Sequence, residues 1–252
     1  MAKITAKDLL DAGVHFGHLT RKWNPQMAPF IFMEKNGIHI IDLNKTLRNL
    51  EEAASALRAV VRSGRKVMLV ATKKQAKEIV ENEAKKLRMP YVTERWLGGM
   101  LTNFSTIRKS LKKMQSIDKL MKDEAYQNMA KRERLMVTRE REKLERVLGG
   151  IAELNRLPAA LFIVDIKREH IAVAEAQKLN IPVFAMVDTN SDPNLVDYPV
   201  PANDDAFKSI QIITEYISAA MEEGLNERKK EKEEAKLAEE EAAKKEVDQQ
   251  EA

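Results

Sequence analysis

From Val67 onward the chain alternates two hydrophobic rhythms. Val67-Met68-Leu69-Val70-Ala71 is a continuous apolar run, as expected of a strand covered on both faces. Residues 74–88 follow as a predicted helix, and residues 90–93 as a short second strand. After an interruption, residues 160–165 read as a strand, 170–179 as a helix and 182–187 as a strand. Residues 198–200 are a last short strand, and 206–221 the closing helix. This alternation predicts an α/β domain with a parallel sheet and right-handed crossovers.

Upstream, a short helix starts near Thr5, which can cap it. Asp8 lies in its first turn, where the helix dipole favours an acid, and Leu9 and Leu10 form its apolar face. Gly13 ends it. Residues 14–25 read as a loop dense in basic, aromatic and imidazole groups. Residues 30–32 and 38–43 read as a hairpin, with Asn36-Gly37 supplying the two positive-φ positions of a type I′ turn. Asn44 is expected to cap a helix over 45–62, where Leu47, Leu50, Ala54, Leu57 and Val61 recur at helical spacing, and Gly64 to stop it.

Between 104 and 149 the sheet rhythm stops. Ile107, Leu111, Met114 and Met121 form one thin apolar stripe, and Leu144, Leu148 and Ile151 another. Narrow stripes suit two helices packed on each other rather than on a globular core. The segment is therefore predicted to be a long antiparallel helical hairpin projecting from the body and turning near 123–128. Residues 226–252 are rich in Lys, Glu and Ala without an apolar stripe. They are expected to be disordered, or a transient helix in isolation. The chain thus divides into 1–103 (an N-terminal extension and the first part of the body), 104–150 (the inserted hairpin), 151–225 (the second part of the body) and 226–252 (the tail).

Charge sharpens this picture. The formal net charge of +4 conceals an acidic end: from Glu222 onward there are 7 basic and 12 acidic residues, leaving the body near +9. The 104–149 segment carries 13 basic and 7 acidic residues. Basic surfaces attract polyanions because neutralising phosphates releases counterions. The chain has no cysteine, which excludes disulfides, thiolate zinc sites and cysteine nucleophiles and fits a reducing compartment. No apolar run approaches the roughly 18 residues of a membrane span, and the N-terminus lacks the apolar core of a signal peptide. A cytoplasmic chain without membrane contact is expected.

Catalytic equipment is sparse. The loop after the first parallel strand, Thr72-Lys73-Lys74-Gln75, matches no glycine-rich phosphate cradle. Lys73 and Lys74 beside a helix N-terminus could still hold one anion, such as an RNA backbone phosphate. Asp165 and Asp188 fall at the carboxyl ends of predicted strands, where open α/β sheets bind ligands, though the residues after Asp188 also suit an ordinary turn. His15 and His18 stand three apart, and with Asp188, Asp204 and Asp205 they are candidate ligands for a cation. No cofactor signature and no Ser/His/Asp set is present.

The run Arg95-Trp96-Leu97-Gly98-Gly99-Met100-Leu101-Thr102-Asn103 marks a tight backbone excursion flanked by a guanidinium, an indole and an amide. Arg21, Lys22, Trp23 and Asn24 present the same combination. Aromatic and guanidinium planes stack on unpaired bases while basic side chains hold the backbone. Core packing is the alternative for both tryptophans. On the hairpin, Arg108, Lys109, Lys112 and Lys113 are the expected phosphate contacts, which position a protein rather than read sequence.

Several stretches carry a family resemblance. Residues 9–18 with Arg21, Trp23-Asn24-Pro25 and Met27 resemble the N-terminal signature of the bacterial small-subunit ribosomal protein S-two family. The run 95–103 resembles its central loop. Leu144-Glu145, residues 148–151 and 157–162, Ile181-Pro182-Val183-Phe184-Ala185, residues 187–193 and 201–206 continue it collinearly. The resemblance implies a flavodoxin-like five-stranded parallel sheet flanked by helices, with a protruding antiparallel coiled-coil hairpin. It implies a non-catalytic constituent of the small subunit, bound to 16S ribosomal RNA near the head–body junction beside other small-subunit proteins. It also implies docking of the large OB-repeat ribosomal protein that recruits messenger RNA. No cofactor and no homo-oligomer are expected. Two rivals stand: an enzyme acting on a phosphorylated small molecule through Lys73, Asp165 and Asp188, and a pure protein-docking module.

Overall fold

Thr5 opens helix α1 (Ala6–Asp11) with a reciprocal capping box, its hydroxyl accepting from Asp8 N while the Asp8 carboxylate accepts from Thr5 N. The computed structural model describes residues 4–250, with side chains described except at 125 and 235–250. Residues 1–3 and 251–252, the outer ends of the expected first and last segments, lie outside the described residues.

After Gly13 the chain forms strand β1 (Phe16–Leu19), then β2 (Ile31–Lys35) and β3 (Ile38–Ile41) in a small antiparallel sheet of order β1-β3-β2. Asn36 and Gly37 both take positive φ, so the hairpin turn is the one their sequence predicts. β1 is a correction to the loop expected over 14–25. Its pairing with β3 shifts register between Phe16 and Leu19, and a strand with an irregular ladder leaves no clean period of two in the sequence. Helix α2 (Leu43–Arg62) is capped by Asp42, whose carboxylate accepts from Asn44 N at 3.0 Å. The cap therefore lies two residues before the expected Asn44.

The body consists of β4 (Val67–Val70), α3 (Lys74–Leu87), β5 (Tyr91–Val92), α4 (Phe104–Leu120), α5 (Glu124–Asn128), α6 (Lys131–Leu148), β6 (Ala160–Val164), α7 (His170–Lys178), β7 (Val183–Val187), β8 (Tyr198–Pro201) and α8 (Phe207–Gln250). The five strands β4–β8 pair in parallel in the order β5-β4-β6-β7-β8. Numbered along the chain this is 2-1-3-4-5, the flavodoxin-like order, whose switch point lies between β4 and β6.

Period-two alternation sorts the strand side chains. Leu69, Phe162, Val164, Phe184 and Met186 face one core with residues of α2, α3 and α8. Met68, Val70, Leu161, Ile163, Ala185 and Val187 face a second core closed by Trp96, Met100, the base of α4 and α6, and α7. Strands buried on both faces explain the unbroken apolar runs. The buried stripe of α4 is Ile107, Leu111, Met114 and Ile117. Across from it, Arg141 Nε of α6 donates to Asp118 at 2.6 Å, and Lys113 pairs with Glu140.

The C-terminal segment departs from expectation. The closing helix does not end near Met221: α8 continues through Asn226 to Gln250. Its exposed face is tied to α2 by pairs of Arg58 with Glu223 and Glu227, and of Arg62 with Glu231. At Gly224 the two helices come close together; a Cβ there would lie 2.6 Å from the Arg58 carbonyl oxygen. The start of the tail, at Glu227 and Glu231, meets arginines of α2, partners that hydropathy does not register.

Candidate nucleic-acid interface

A 3-10 turn (Thr20–Lys22) after β1 turns Arg21 and Lys22 outward, both exposed. Trp23 follows, 38% exposed, its ring 4.9 Å from that of His39 and tilted by 41°. One face is thus supported and part of the indole stays open to solvent, the arrangement a base-stacking platform needs. Asn24 acts locally, its Oδ1 accepting from Gln26 N at 2.9 Å and capping the 3-10 helix Pro25–Phe30.

The central loop divides its residues sharply. Trp96 is only 6% exposed and belongs to the second core. Its Nε1 donates to Glu175 Oε1 at 3.1 Å. The expectation that it contacts RNA is corrected: the indole is an anchor, not a platform. Gly99, at φ +85°, makes the excursion, whereas its neighbour Gly98 has no positive φ. The turn brings the N–H groups of Gly99, Leu101 and Thr102 onto the same Glu175 carboxylate at 2.7, 2.9 and 3.0 Å. Burial pushes the Glu175 pKa up, but these donors outweigh it and hold the carboxyl below its ordinary value. Arg95 is exposed and lines a cleft of about 450 Å³ with Thr72, Arg168 and Glu169. Asn103 is exposed at the start of α4, its Oδ1 accepting from Thr106 Oγ1 at 2.9 Å and Ser105 Oγ at 3.3 Å.

Lys73 and Lys74, adjacent in sequence, part company. Lys74 is exposed in the first turn of α3. Lys73 is buried, with Nζ 2.7 Å from Asp204 Oδ1, 2.7 Å from Asp205 Oδ1 and 3.4 Å from Asp165 Oδ2. Burial pulls its pKa down, yet the three carboxylates prevail and leave it above the ordinary lysine value. An ammonium so enclosed does not meet an RNA phosphate, which corrects that expectation. The same ion pairs engage two of the three residues of the enzyme rival, Lys73 and Asp165.

On α4, Arg108, Lys109, Lys112 and Lys113 are all exposed, opposite the buried stripe. Of these, Lys113 also pairs with Glu140.

Four of the five candidate cation ligands converge. One donor atom each of His18, Asp188, Asp204 and Asp205 lie within 4.8 Å of one another. His18 comes from β1, Asp188 from the end of β7, and the acidic pair from the turn after β8. Contact with Asp188 raises the His18 pKa against the pull of burial, with Asp204 and Asp205 adding to it. Burial, then the fields of Asp188 and Asp165, push Asp204 up to about 7. His15 lies outside this group; its ring packs on Phe16, with centroids 3.9 Å apart, and burial lowers its pKa.

Two acids escaped the sequence reading. Glu175 organises the central loop, and Glu169 accepts from Thr72 N at 3.0 Å beneath Arg168, whose Nε donates to Thr72 Oγ1 at 2.8 Å. The sequence held one trace of the first: Glu175 falls on the buried face of α7 with Ala172, Val173 and Ala176.

Comparison with known proteins agrees with this architecture. The family described as "Ribosomal protein S2" matches residues 9–224. A protein of Cytophaga hutchinsonii named "Small ribosomal subunit protein uS2" is 70% identical over 98% of this chain and 97% of its own length. Its namesake in Flavobacterium johnsoniae is 63% identical over 96% and 97%, and that in Parabacteroides distasonis 60% over 95% and 86%. With its parallel 2-1-3-4-5 sheet and this match across nearly its whole length, the chain belongs to the ribosomal protein S2 family, as a structural and non-enzymatic protein of the small subunit of the cytoplasmic ribosome.

Proposed function

We propose that the chain binds 16S ribosomal RNA near the head–body junction of the small subunit, and that α4 with α6 forms a projecting arm that lies along the RNA backbone. The observation carrying this reading is the exposed row of Arg108, Lys109, Lys112 and Lys113, set opposite the buried stripe of the same helix. Such a row neutralises phosphates without reading bases. Arg21, Lys22 and Trp23 form a second contact that combines charge with stacking, and Lys74 and Arg95 add exposed cations on the body. Replacing the four basic residues of α4 by glutamate is expected to weaken binding to 16S RNA and to flatten its dependence on salt, because each phosphate contact contributes about one unit to the salt slope. An unchanged slope removes α4 from the interface.

A groove of about 630 Å³ between α1 and the N-terminal sheet supports docking of another ribosomal protein. Leu10, Phe16, Met33 and Phe32 line it, all exposed, Phe32 at 70%. Apolar side chains gathered in this way mark protein-docking sites, and the OB-repeat protein that recruits messenger RNA is the occupant we assign. Phe32→Asp is expected to release that protein from otherwise intact subunits. Retention at wild-type occupancy would reassign the groove.

A further inference from the structure

The cleft that Arg95 borders, about 450 Å³ in volume, lies at the carboxyl ends of three neighbouring strands, β5, β4 and β6. Thr72 follows β4, residues 94–96 follow β5, and Arg168 and Glu169 follow β6. The cleft thus opens at the switch point between β4 and β6, where open parallel sheets hold their ligands. Its volume is that of a small-molecule site.

Two guanidinium groups border it with nitrogens to spare. Arg168 commits only Nε, to Thr72 Oγ1 at 2.8 Å, and its terminal nitrogens are unengaged among the described residues. Arg95 is exposed and makes no side-chain hydrogen bond or ion pair among the described residues. Its neighbour Glu94 is turned to Lys77 instead, at 3.0 Å. Glu169, 3% exposed, accepts at Oε1 from Thr72 N at 3.0 Å and from Thr72 Oγ1. Its Oε2 accepts from no group among the described residues and is not fully enclosed. Ile171, 43% exposed, adds an apolar wall, and Trp96 stays in the core and closes the back.

A left-handed turn holds the β6 side of the cleft. Asp165 takes φ +67°, its Oδ1 accepts from Arg168 N at 3.1 Å, and its carbonyl oxygen accepts from Glu169 N at 3.1 Å. Backbone in this sparsely populated region clusters at ligand sites, and here it sets a cation and a buried acid side by side. Unengaged guanidinium groups suit a phosphate. A carboxylate oxygen beside them needs a donor on the same ligand. Inorganic phosphate has none to match, whereas the amino and imino groups of a nucleobase do.

We infer that the switch-point cleft takes one unpaired nucleotide, its phosphate held by Arg95 and Arg168, its base on Ile171 with an N–H donated to Glu169 Oε2. Thr72 Oγ1, the one hydroxyl among the lining side chains, is held between Glu169 and Arg168, so the site binds without chemistry. The nucleotide is either part of an unpaired stretch of RNA or free in solution. In the first case the inference rests on the RNA-binding reading.

The test titrates the isolated full chain, by calorimetry, with the four 5′-mononucleotides, with inorganic phosphate and with a single-stranded hexanucleotide RNA. We expect one nucleotide to bind in the cleft, and more tightly than phosphate does. Arg95→Gln should weaken binding by more than about tenfold, the loss of a hydrogen bond to a charged group, and leave Tm unchanged. Ile171→Trp should block the cleft by filling it. Mononucleotides that bind and weaken in Arg95→Gln make the free nucleotide the source. A hexanucleotide that weakens in Arg95→Gln while mononucleotides do not bind makes RNA the source. The α4 variant with four glutamates leaves the cleft intact, so an Arg95→Gln effect that persists in that background separates this site from the α4 interface. Absence of all binding, affinities unchanged in both cleft variants, or phosphate binding as tightly as nucleotides each overturns the inference.

Discussion

Glu175 and Trp96 lie 79 residues apart in sequence and are joined by a hydrogen bond of 3.1 Å from the indole Nε1 to the carboxylate. The same carboxylate accepts from three backbone N–H groups and from Thr102 Oγ1. One acid on α7 therefore fixes the path of the chain from the sheet into α4, and with it the direction in which the basic row points. Glu175→Ala is expected to destabilise the protein by about 3 kcal/mol, since it strands several buried donors at once. Trp96 fluorescence should shift to the red. Added formate or acetate should recover part of the loss by occupying the vacated nest. Unaltered fluorescence and unfolding would mean that the loop holds itself.

The sign of the pH effect follows from the depressed pKa of Glu175. Its stabilisation is complete above the ordinary glutamate value near 4.5 and is lost as pH falls through its lower folded value. Glu169, pushed up by burial, acts in the opposite sense, losing stability as pH rises through the interval between its ordinary and raised values. Comparing urea unfolding of wild type and Glu175→Gln from neutral to acidic pH isolates the first. The variant should lose less stability than wild type on acidification; parallel curves would remove Glu175 as the acid-sensitive group.

The two tryptophans should separate in experiment. Trp96→Ala is expected to cost about 3–5 kcal/mol of stability, as a large core truncation does. Trp23→Ala should leave unfolding nearly unchanged and cost about 1–3 kcal/mol in RNA affinity, the magnitude of a lost base stack. Equal stability losses in both would place Trp23 in the core as well.

At Gly224 two effects oppose each other. Alanine in a helix gains about 1 kcal/mol over glycine. Its methyl group, however, would sit 2.6 Å from the Arg58 carbonyl, and backbone yields less readily than a side chain, so overpacking of about 1–3 kcal/mol should prevail. Gly224→Ala is expected to lower Tm. A higher Tm would show that α2 and α8 can separate without loss.

The sheet was legible because burial on both faces writes itself as unbroken apolar runs, as at 67–71 and 160–164. The base of α4 was legible because its stripe recurs every three or four residues. Long-range electrostatics was not. Lys73 and Lys74 are identical in sequence terms, and only the fold brings Asp165, Asp204 and Asp205 around the first. Glu175 reads as an ordinary helical acid until its donors, more than seventy residues upstream, are in place. Sequence did associate His18 with Asp188, Asp204 and Asp205, by their type as cation ligands; it also included His15, whose ring packs on Phe16 instead. Just past Asn226, Glu227 and Glu231 meet charged partners on α2, which leave no hydropathic trace.

The first forty residues are fastened in part to the last part of the body. His18 N donates to Thr189 Oγ1 at 2.8 Å, and Asn24 N to Thr189 O at 2.8 Å. Asn203 reaches back to Val14 and Gly13. A ribosome making this chain delivers the N-terminal segment first and its fastenings about 170 residues later. At roughly 5–20 residues per second that interval is on the order of ten to thirty seconds. Throughout it, Leu9 and Val14, fully buried in the finished fold, have no completed core to enter, and the Arg21–Trp23 patch has no fixed bearing. The order of synthesis thus makes the N-terminal patch the last to mature, and a chain cut short before Thr189 would carry its basic and aromatic residues without presenting them.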